Sequence, residues 1–257
     1  MGGRGATSSL GTMASGATLP PQPDPNTQVD DTQVASAFSA DYNKFMAMTD
    51  DEKADFISAN IKQGVPDHLA QNDFQRFIYN SGLNEKPEIV SDATLDTMTG
   101  TEIFRTVDNV YNKQKDLSYS ADQIAKQVTQ GRYTRVSDTG GSVYGRGIYF
   151  ADSYSDSTSY GGTRGNVKQT AVMRGKLNNN AKVINYNTAS QGASREISSG
   201  SKLGKVLGKA DSASRVSIYA MSKGYNVISS GHGYLNVLNR NAITMSSDIK
   251  PKGSSWK

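Results

Sequence analysis

The sequence predicts an α+β protein, a helical lobe followed by a core of short strands with fewer helices, and three observations predict it. Apolar residues recur at spacings of three and four through Val34, Phe38, Tyr42, Phe45 and Met46, and again through Phe56, Ile57 and Ile61, painting one stripe along each of two helices. From Glu102 onward the pattern changes to short apolar runs such as Ile103-Phe104-Arg105-Thr106-Val107 and Ile148-Tyr149-Phe150-Ala151, which suit strands. Finally, 257 residues of 35% hydrophobic content are enough to build a core of moderate size.

Composition narrows the chemistry before any motif is considered. The chain has no cysteine, which excludes disulfides, thiolate zinc sites and a catalytic thiol, and fits a reducing interior or a virus particle. With only His68 and His232, a histidine-based metal site is not expected. A balance of 28 basic to 24 acidic residues is too mild to predict nucleic-acid binding. No apolar run reaches the ~18 residues of a membrane span, and the first residues lack the apolar stretch of a secretory signal.

The elements follow in order. Residues 1–30 are rich in Gly, Ser, Thr and Pro, cannot bury enough surface to fold alone, and read as a flexible tail that neighbours would have to order. A helical lobe is expected over 31–98. Its first helix carries the Val34 to Met46 stripe. The second starts at Thr49-Asp50-Asp51-Glu52, with acids in the first turn, and stops at Gly64. The third opens at Pro66-Asp67, runs through Leu69, Phe74, Phe77 and Ile78, and ends at Gly82; His68 at its start reads as solvated.

The core is expected over 99–257. Glu102 to Val107 reads as a strand with an arginine in its middle, and Ala121 to Val128 as a helix. Arg132 and Arg135 lie in the segment leading to the next strand and read as surface residues, with contact to a ligand's phosphates as the alternative. Val167 to Leu177 alternates like a strand, with a turn at Asn178-Asn179-Asn180, and Lys182 to Tyr186 reads as another. Residues 188–215 are polar, with room for a helix from Ser201 to Leu207; Val216 to Lys223 reads as a helix ending at Gly224. Tyr225 to Ile228 and Leu235 to Ile243 read as the last two strands, around a turn at Ser229 to Gly233.

One stretch carries chemistry. Gly145-Arg146-Gly147 gives the backbone freedom close to a ligand, Ile148 to Ala151 makes a buried strand, and Asp152 and Ser153 can cap a following turn. Ser157 and Tyr160 then lie three residues apart and share one helix face, so a hydroxyl and a flat ring stand side by side. Such a pair suits a planar amide, the ring stacking on it and the hydroxyl bonding its carbonyl. The alternative is a buried strand and a capped helix with a surface tyrosine.

The string GRGIYFADSYSDSTSY resembles the nicotinamide-binding strand and helix of the diphtheria-toxin-like and poly(ADP-ribose) polymerase-like ADP-ribosyltransferases, whose pattern runs roughly G-[KR]-G-I-Y-F-A-[DS]-x-x-S-x-S-x-x-Y. The resemblance extends over about residues 100 to 245 and implies a core of two packed, mainly antiparallel sheets with NAD, as substrate, in the cleft between them. It implies that Gly147 and Tyr149 lie against the nicotinamide, that Ser157 bonds its amide and that Tyr160 stacks on its ring. Ile-Phe-Arg-Thr-Val resembles the first strand of the family's arginine clade, which would place Arg105 on the phosphates and ribose, as suits a bidentate guanidinium. The literal Ser157-Thr158-Ser159 resembles that clade's Ser-Thr-Ser signature, which begins a strand, whereas this one falls in a predicted helix.

The chain departs from the family at its last catalytic strand. A glutamate should stand at the start of that strand to hold the ribose; here the place falls to Gly233 or Tyr234, with His232 just before. Tyr149, His232 and Tyr234 are therefore the candidate catalytic residues, with Glu196 and Asp211 as acids that would have to reach in from elsewhere. The implied function is mono-ADP-ribosylation of a protein acceptor with NAD and without a metal. Two alternatives stand beside it: an NAD-binding module without turnover, and a structural or minor head protein of a phage particle. MGGRG and QRFIYNSGLNEKP resemble proteins of phages and mobile elements, which implies a virion or bacterial-cytoplasmic location and other virion proteins as partners for the tail.

Overall fold

The computed structural model describes residues 41–65, 72–83, 85–112, 117–129, 143–160, 170–254 and 256. The tail, most of the first helix, His68, Arg132, Arg135 and the residues just after Tyr160 lie outside them.

Helices open the described chain. After α1 (residues 41–47), Thr49 caps α2 (Asp50–Lys62): its hydroxyl accepts from the Glu52 amide, and the Glu52 carboxylate accepts from the Thr49 amide at 2.8 Å. The three acids of the first turn sit at the positive end of the helix. Helix α3 (Asp73–Ser81) is capped by Asn72, whose side chain accepts from the Gln75 amide at 2.9 Å, and ends on Gly82 at φ 70°, a left-handed conformation that glycine adopts without strain.

The strands follow as β1 (Glu88–Val90), β2 (Glu102–Asp108), the small hairpin β3 (Val110–Asn112) and β4 (Leu117–Tyr119), β5 (Ile148–Ala151), β6 (Thr170–Leu177), β7 (Val183–Asn185), β8 (Val227–Ser229), β9 (Tyr234–Val237) and β10 (Ile243–Lys250). Between them lie α4 (Asp92–Thr97), α5 (Ala121–Thr129), α6 (Tyr154–Tyr160), α7 (Tyr186–Ser198), α8 (Lys202–Lys209) and α9 (Ser212–Ser222). One eight-stranded sheet has the order β1-β10-β6-β2-β5-β9-β8-β7, antiparallel except at its two outer pairs, β1 with β10 and β7 with β8. The α+β class and the mainly antiparallel pairing match the expectation. Where the resemblance implied two packed sheets, the described residues form a single eight-stranded sheet made of two four-stranded halves. They meet only where Phe104 of β2 pairs with Ala151 of β5, whereas β2 and β6 pair over seven residues. Beyond that single pair β2 and β5 splay.

The helical lobe shares its core with the sheet. Phe45, Phe74 and Phe77 belong to the same buried cluster as Ile148, Leu235 and Met245. The contact is also polar: the Asp73 amide donates to the Asp211 carboxylate at 3.3 Å, the Asp211 amide donates to the Asp73 carboxylate at 2.8 Å, and the Phe74 amide donates to Ser214 Oγ at 2.9 Å. These bonds tie the start of α3 to the start of α9. On the other side of the expected boundary near residue 99, β1 and α4 already pack on β10.

The structure differs from the sequence reading most over its second half. Helix α7 fills the polar stretch after 186; its buried residues are Ala189, Gly192 and Ala193, and Gly192 abuts the Tyr219 ring of α9, so small size rather than hydrophobicity lets the helix pack. The expected strand from Leu235 to Ile243 ends at Val237, and a 3-10 turn at Arg240–Ala242 turns the chain into β10. Arg240, 1% exposed, donates through Nη1 to the Val128 carbonyl at 2.9 Å and so caps the end of α5.

Glu85 is buried beside that turn, with Asn239 Nδ2 3.4 Å from its Oε2. Burial pushes its carboxyl above the ordinary glutamate range, against bonds from Asn239 and Asn241 that favour the charged form. A carboxyl with a raised folded pKa holds its proton more tightly folded than unfolded. It therefore adds stability as pH falls toward the ordinary value of about 4.3, and the contribution is lost as pH rises through the folded value. Glu85→Gln is expected to flatten this dependence, read as urea midpoints across the mildly acidic range.

Candidate functional site

The glycine stretch folds as the motif predicts, a loop, a buried strand and a capped helix. Ser153 Oγ accepts from the Asp156 amide at 3.0 Å and so starts α6. Strand β5 pairs with β9 through Ile148 with Val237, Tyr149 with Asn236, Phe150 with Leu235 and Ala151 with Tyr234. Because strand side chains alternate, Tyr149, Ala151, Tyr234 and Asn236 leave on one face, while Ile148, Phe150, Leu235 and Val237 enter the core on the other.

Tyr149 closes the loop that precedes it. Its hydroxyl donates to the Gly145 carbonyl at 2.6 Å and accepts from the Tyr144 amide at 3.0 Å. Ser217 of α9 accepts from the Arg146 amide at 2.7 Å and donates to the Arg146 carbonyl at 2.6 Å, and Asn236 Nδ2 donates to the Tyr144 carbonyl at 2.9 Å. Three side chains thus fix three consecutive residues, 144–146. Tyr149→Phe is expected to cost about 1–2 kcal/mol by stranding both backbone groups, read as a lower urea midpoint, with faster amide exchange at residues 144–147.

Gly147 is where the loop lies closest to β9, and a Cβ there would overlap the Asn236 carboxamide and stand 2.8 Å from the Val237 carbonyl. Asn236 is 1% exposed, and its Oδ1 has no hydrogen-bond partner among the described residues. A buried acceptor without a donor costs about 1–3 kcal/mol, so the position is not optimised for stability. Asn236 escaped the sequence reading; its signal is a lone polar residue in Leu235-Asn236-Val237-Leu238, opposite Tyr149.

Ser157 is buried on α6, its Oγ 2.9 Å from Thr106 Oγ1 on β2. Tyr160 ends the helix. Arg105, the neighbour of Thr106 in the strand, leaves β2 on the opposite side and donates through Nη1 to the Tyr149 carbonyl at 2.6 Å. This bond spans the splay between β2 and β5, serving a carbonyl that the ladder no longer reaches. The structure therefore joins Arg105 to Tyr149 through the backbone and does not place it beside Ser157.

His232 is exposed in the turn before β9, its amide donating to Ser230 Oγ at 3.0 Å. Tyr234 is half-buried at the start of the strand, and none of the residues from Gly233 to Val237 is acidic. Glu196 on α7 pairs with Lys223 and accepts from Ser201 Oγ. Asp211 caps α9, accepting from the Ser214 amide, and lies 3.8 Å from Arg146; burial alone would raise its carboxyl, but these partners hold it below the ordinary range.

A different acid stands at the start of β9. Asp152 follows β5 directly; its amide donates to the Gly233 carbonyl at 2.9 Å, and its Oδ1 would lie 2.8 Å from a Cβ on Gly233, a residue at φ 81°. The sequence alone did not point to it; the antiparallel pairing of Ala151 with Tyr234 puts residue 152 beside 233.

No group of three or more potential metal ligands occurs among the described residues, and no helix among them is long and apolar enough to cross a membrane. No protein-family model, curated protein or solved structure matches the chain significantly.

Proposed function

We propose that this chain is an ADP-ribosyltransferase-like protein that binds NAD as substrate along the Tyr149 and Tyr234 face of β5 and β9, and transfers ADP-ribose to a protein acceptor. The observation that carries this reading is the course of residues 145–160, which buries Ser157 against β2 and sets the Asp152 carboxylate at the start of β9.

In this reading Tyr149 and Tyr160 flank the nicotinamide ring and Ser157 bonds its amide carbonyl. Arg105, bound to the Tyr149 carbonyl, is the residue this reading assigns to the phosphates. His232 and Tyr234 border the ribose. The bond from ribose C1 to the nicotinamide nitrogen breaks, its electron pair leaving on neutral nicotinamide; the acceptor then bonds C1 and loses a proton. Positive charge builds on the ribose in between, and Asp152 is the nearby carboxylate that stabilises it. Loss of one well-placed electrostatic contact costs about 3 kcal/mol, a hundredfold or more in rate.

Nicotinamide release by the purified protein, with and without a lysate as a source of acceptor, tests the proposal. Wild-type protein is expected to release it and Asp152→Asn to do so about a hundredfold more slowly. Binding without release would favour a second reading, an NAD-binding module without turnover, which the absence of an acid from Gly233 to Val237 supports. Neither binding nor release would remove both.

A further inference from the structure

Helix α6 carries Ser157 and Tyr160 but is poorly equipped to hold its own position. It has seven residues, well short of the ~12–15 at which an isolated helix becomes even marginal in water. Its sequence, Tyr-Ser-Asp-Ser-Thr-Ser-Tyr, has no apolar stripe, and its last turn has no basic residue. Contacts from outside must place it. Two come from β2: the Phe104 ring meets the Tyr154 ring edge-on at 6.0 Å, and Thr106 bonds Ser157.

Two more come from the segment after β10. Lys252 Nζ donates to the Thr158 carbonyl at 3.0 Å, and the Gly253 amide donates to the Tyr154 hydroxyl at 2.7 Å. The lysine thus supplies, from a distant part of the chain, the cation that the carbonyl end of the helix lacks. The segment is itself fastened. The Lys252 amide donates to Thr170 Oγ1 at 3.1 Å, and a turn closes with the Ser254 amide on the Pro251 carbonyl. Lys250 Nζ stands 4.3 Å from the centre of the Trp256 ring and the Arg174 guanidinium 5.9 Å from it. Arg174 is in turn bound by Asp96 and Glu102, and Lys250 by Asp92.

We propose that residues 251–254, with Trp256, form a strap that positions α6, so that ligand binding at the candidate site depends on the strap being seated. The part of this inference that concerns the ligand rests on the NAD reading; the positioning of α6 does not. Amide hydrogen exchange and NAD calorimetry on the full chain test the two parts separately. In Lys252→Met combined with Tyr154→Phe, exchange over residues 155–160 is expected to rise about tenfold, with β5 and β9 unchanged and NAD affinity falling in step. Lys252→Arg, with Tyr154 intact, should stay near wild type, because it keeps a cation on the helix end. Unchanged exchange in α6, or an equal rise throughout β5 and β9, would overturn the strap. Faster α6 exchange with unaltered NAD affinity would overturn its link to the site. Faster α6 exchange in a protein whose wild type binds no NAD would leave the strap standing and refute the NAD reading alone.

Discussion

Gly147→Ala is expected to destabilise the protein by about 1–3 kcal/mol, the ordinary cost of forcing one methyl into a filled site, and to abolish ligand binding. The methyl would meet the Asn236 carboxamide and the Val237 carbonyl together. The carboxamide cannot swing aside freely, because the side chain is almost wholly buried and its Nδ2 is held on the Tyr144 carbonyl. Either β5 separates from β9 or the loop over residues 144–147 lifts from both. Making the change in an Asn236→Ala background should recover part of the loss but not all, because the Val237 carbonyl stays in place. Urea unfolding of the four proteins of that cycle measures the coupling; full additivity would mean that the loop does not rest on Asn236.

Phe77→Ala should cost more, about 3–5 kcal/mol. The ring is fully buried and lies 6.0 Å from the Phe45 ring and 6.4 Å from that of Phe56, so its removal opens a void at the centre of the helical lobe. Since Phe77 belongs to the same cluster as Ile148 and Leu235, and α3 is bound to α9 through Asp73, Asp211 and Ser214, the whole described chain should lose stability in one cooperative transition. Two separate thermal transitions, with only the first shifted, would mean that the lobe folds independently.

Where the sequence was legible, a local rule coincided with the tertiary outcome. Thr49 with Glu52 caps a helix wherever such a pair precedes an apolar stripe, and Ile148 to Ala151 forms a strand whose Ile148 and Phe150 enter the apolar core. Where it was not, distance decided. Helix α7 packs through Ala and Gly, which leave little hydrophobic signal, and β10 buries Thr244 and Ser246 because Glu88, Asn178 and Asp92 come from far along the chain to satisfy them. The site divides in the same way. Ser157 and Tyr160 were candidates from their spacing and Tyr149 from the resemblance, but the direction in which Arg105 leaves its strand depends on where β2 and β5 part. Asp152 became a candidate only once the pairing of β5 with β9 was known.

The central claim, that the face between β5, β9 and α6 takes NAD, is tested most directly by calorimetric titration of the wild-type chain with NAD beside Ser157→Ala and Tyr160→Ala. A saturable one-to-one binding curve is expected, with a Kd below about 1 mM, weakened at least tenfold by either substitution. Absence of binding at millimolar NAD, or binding that both variants retain in full, would contradict it.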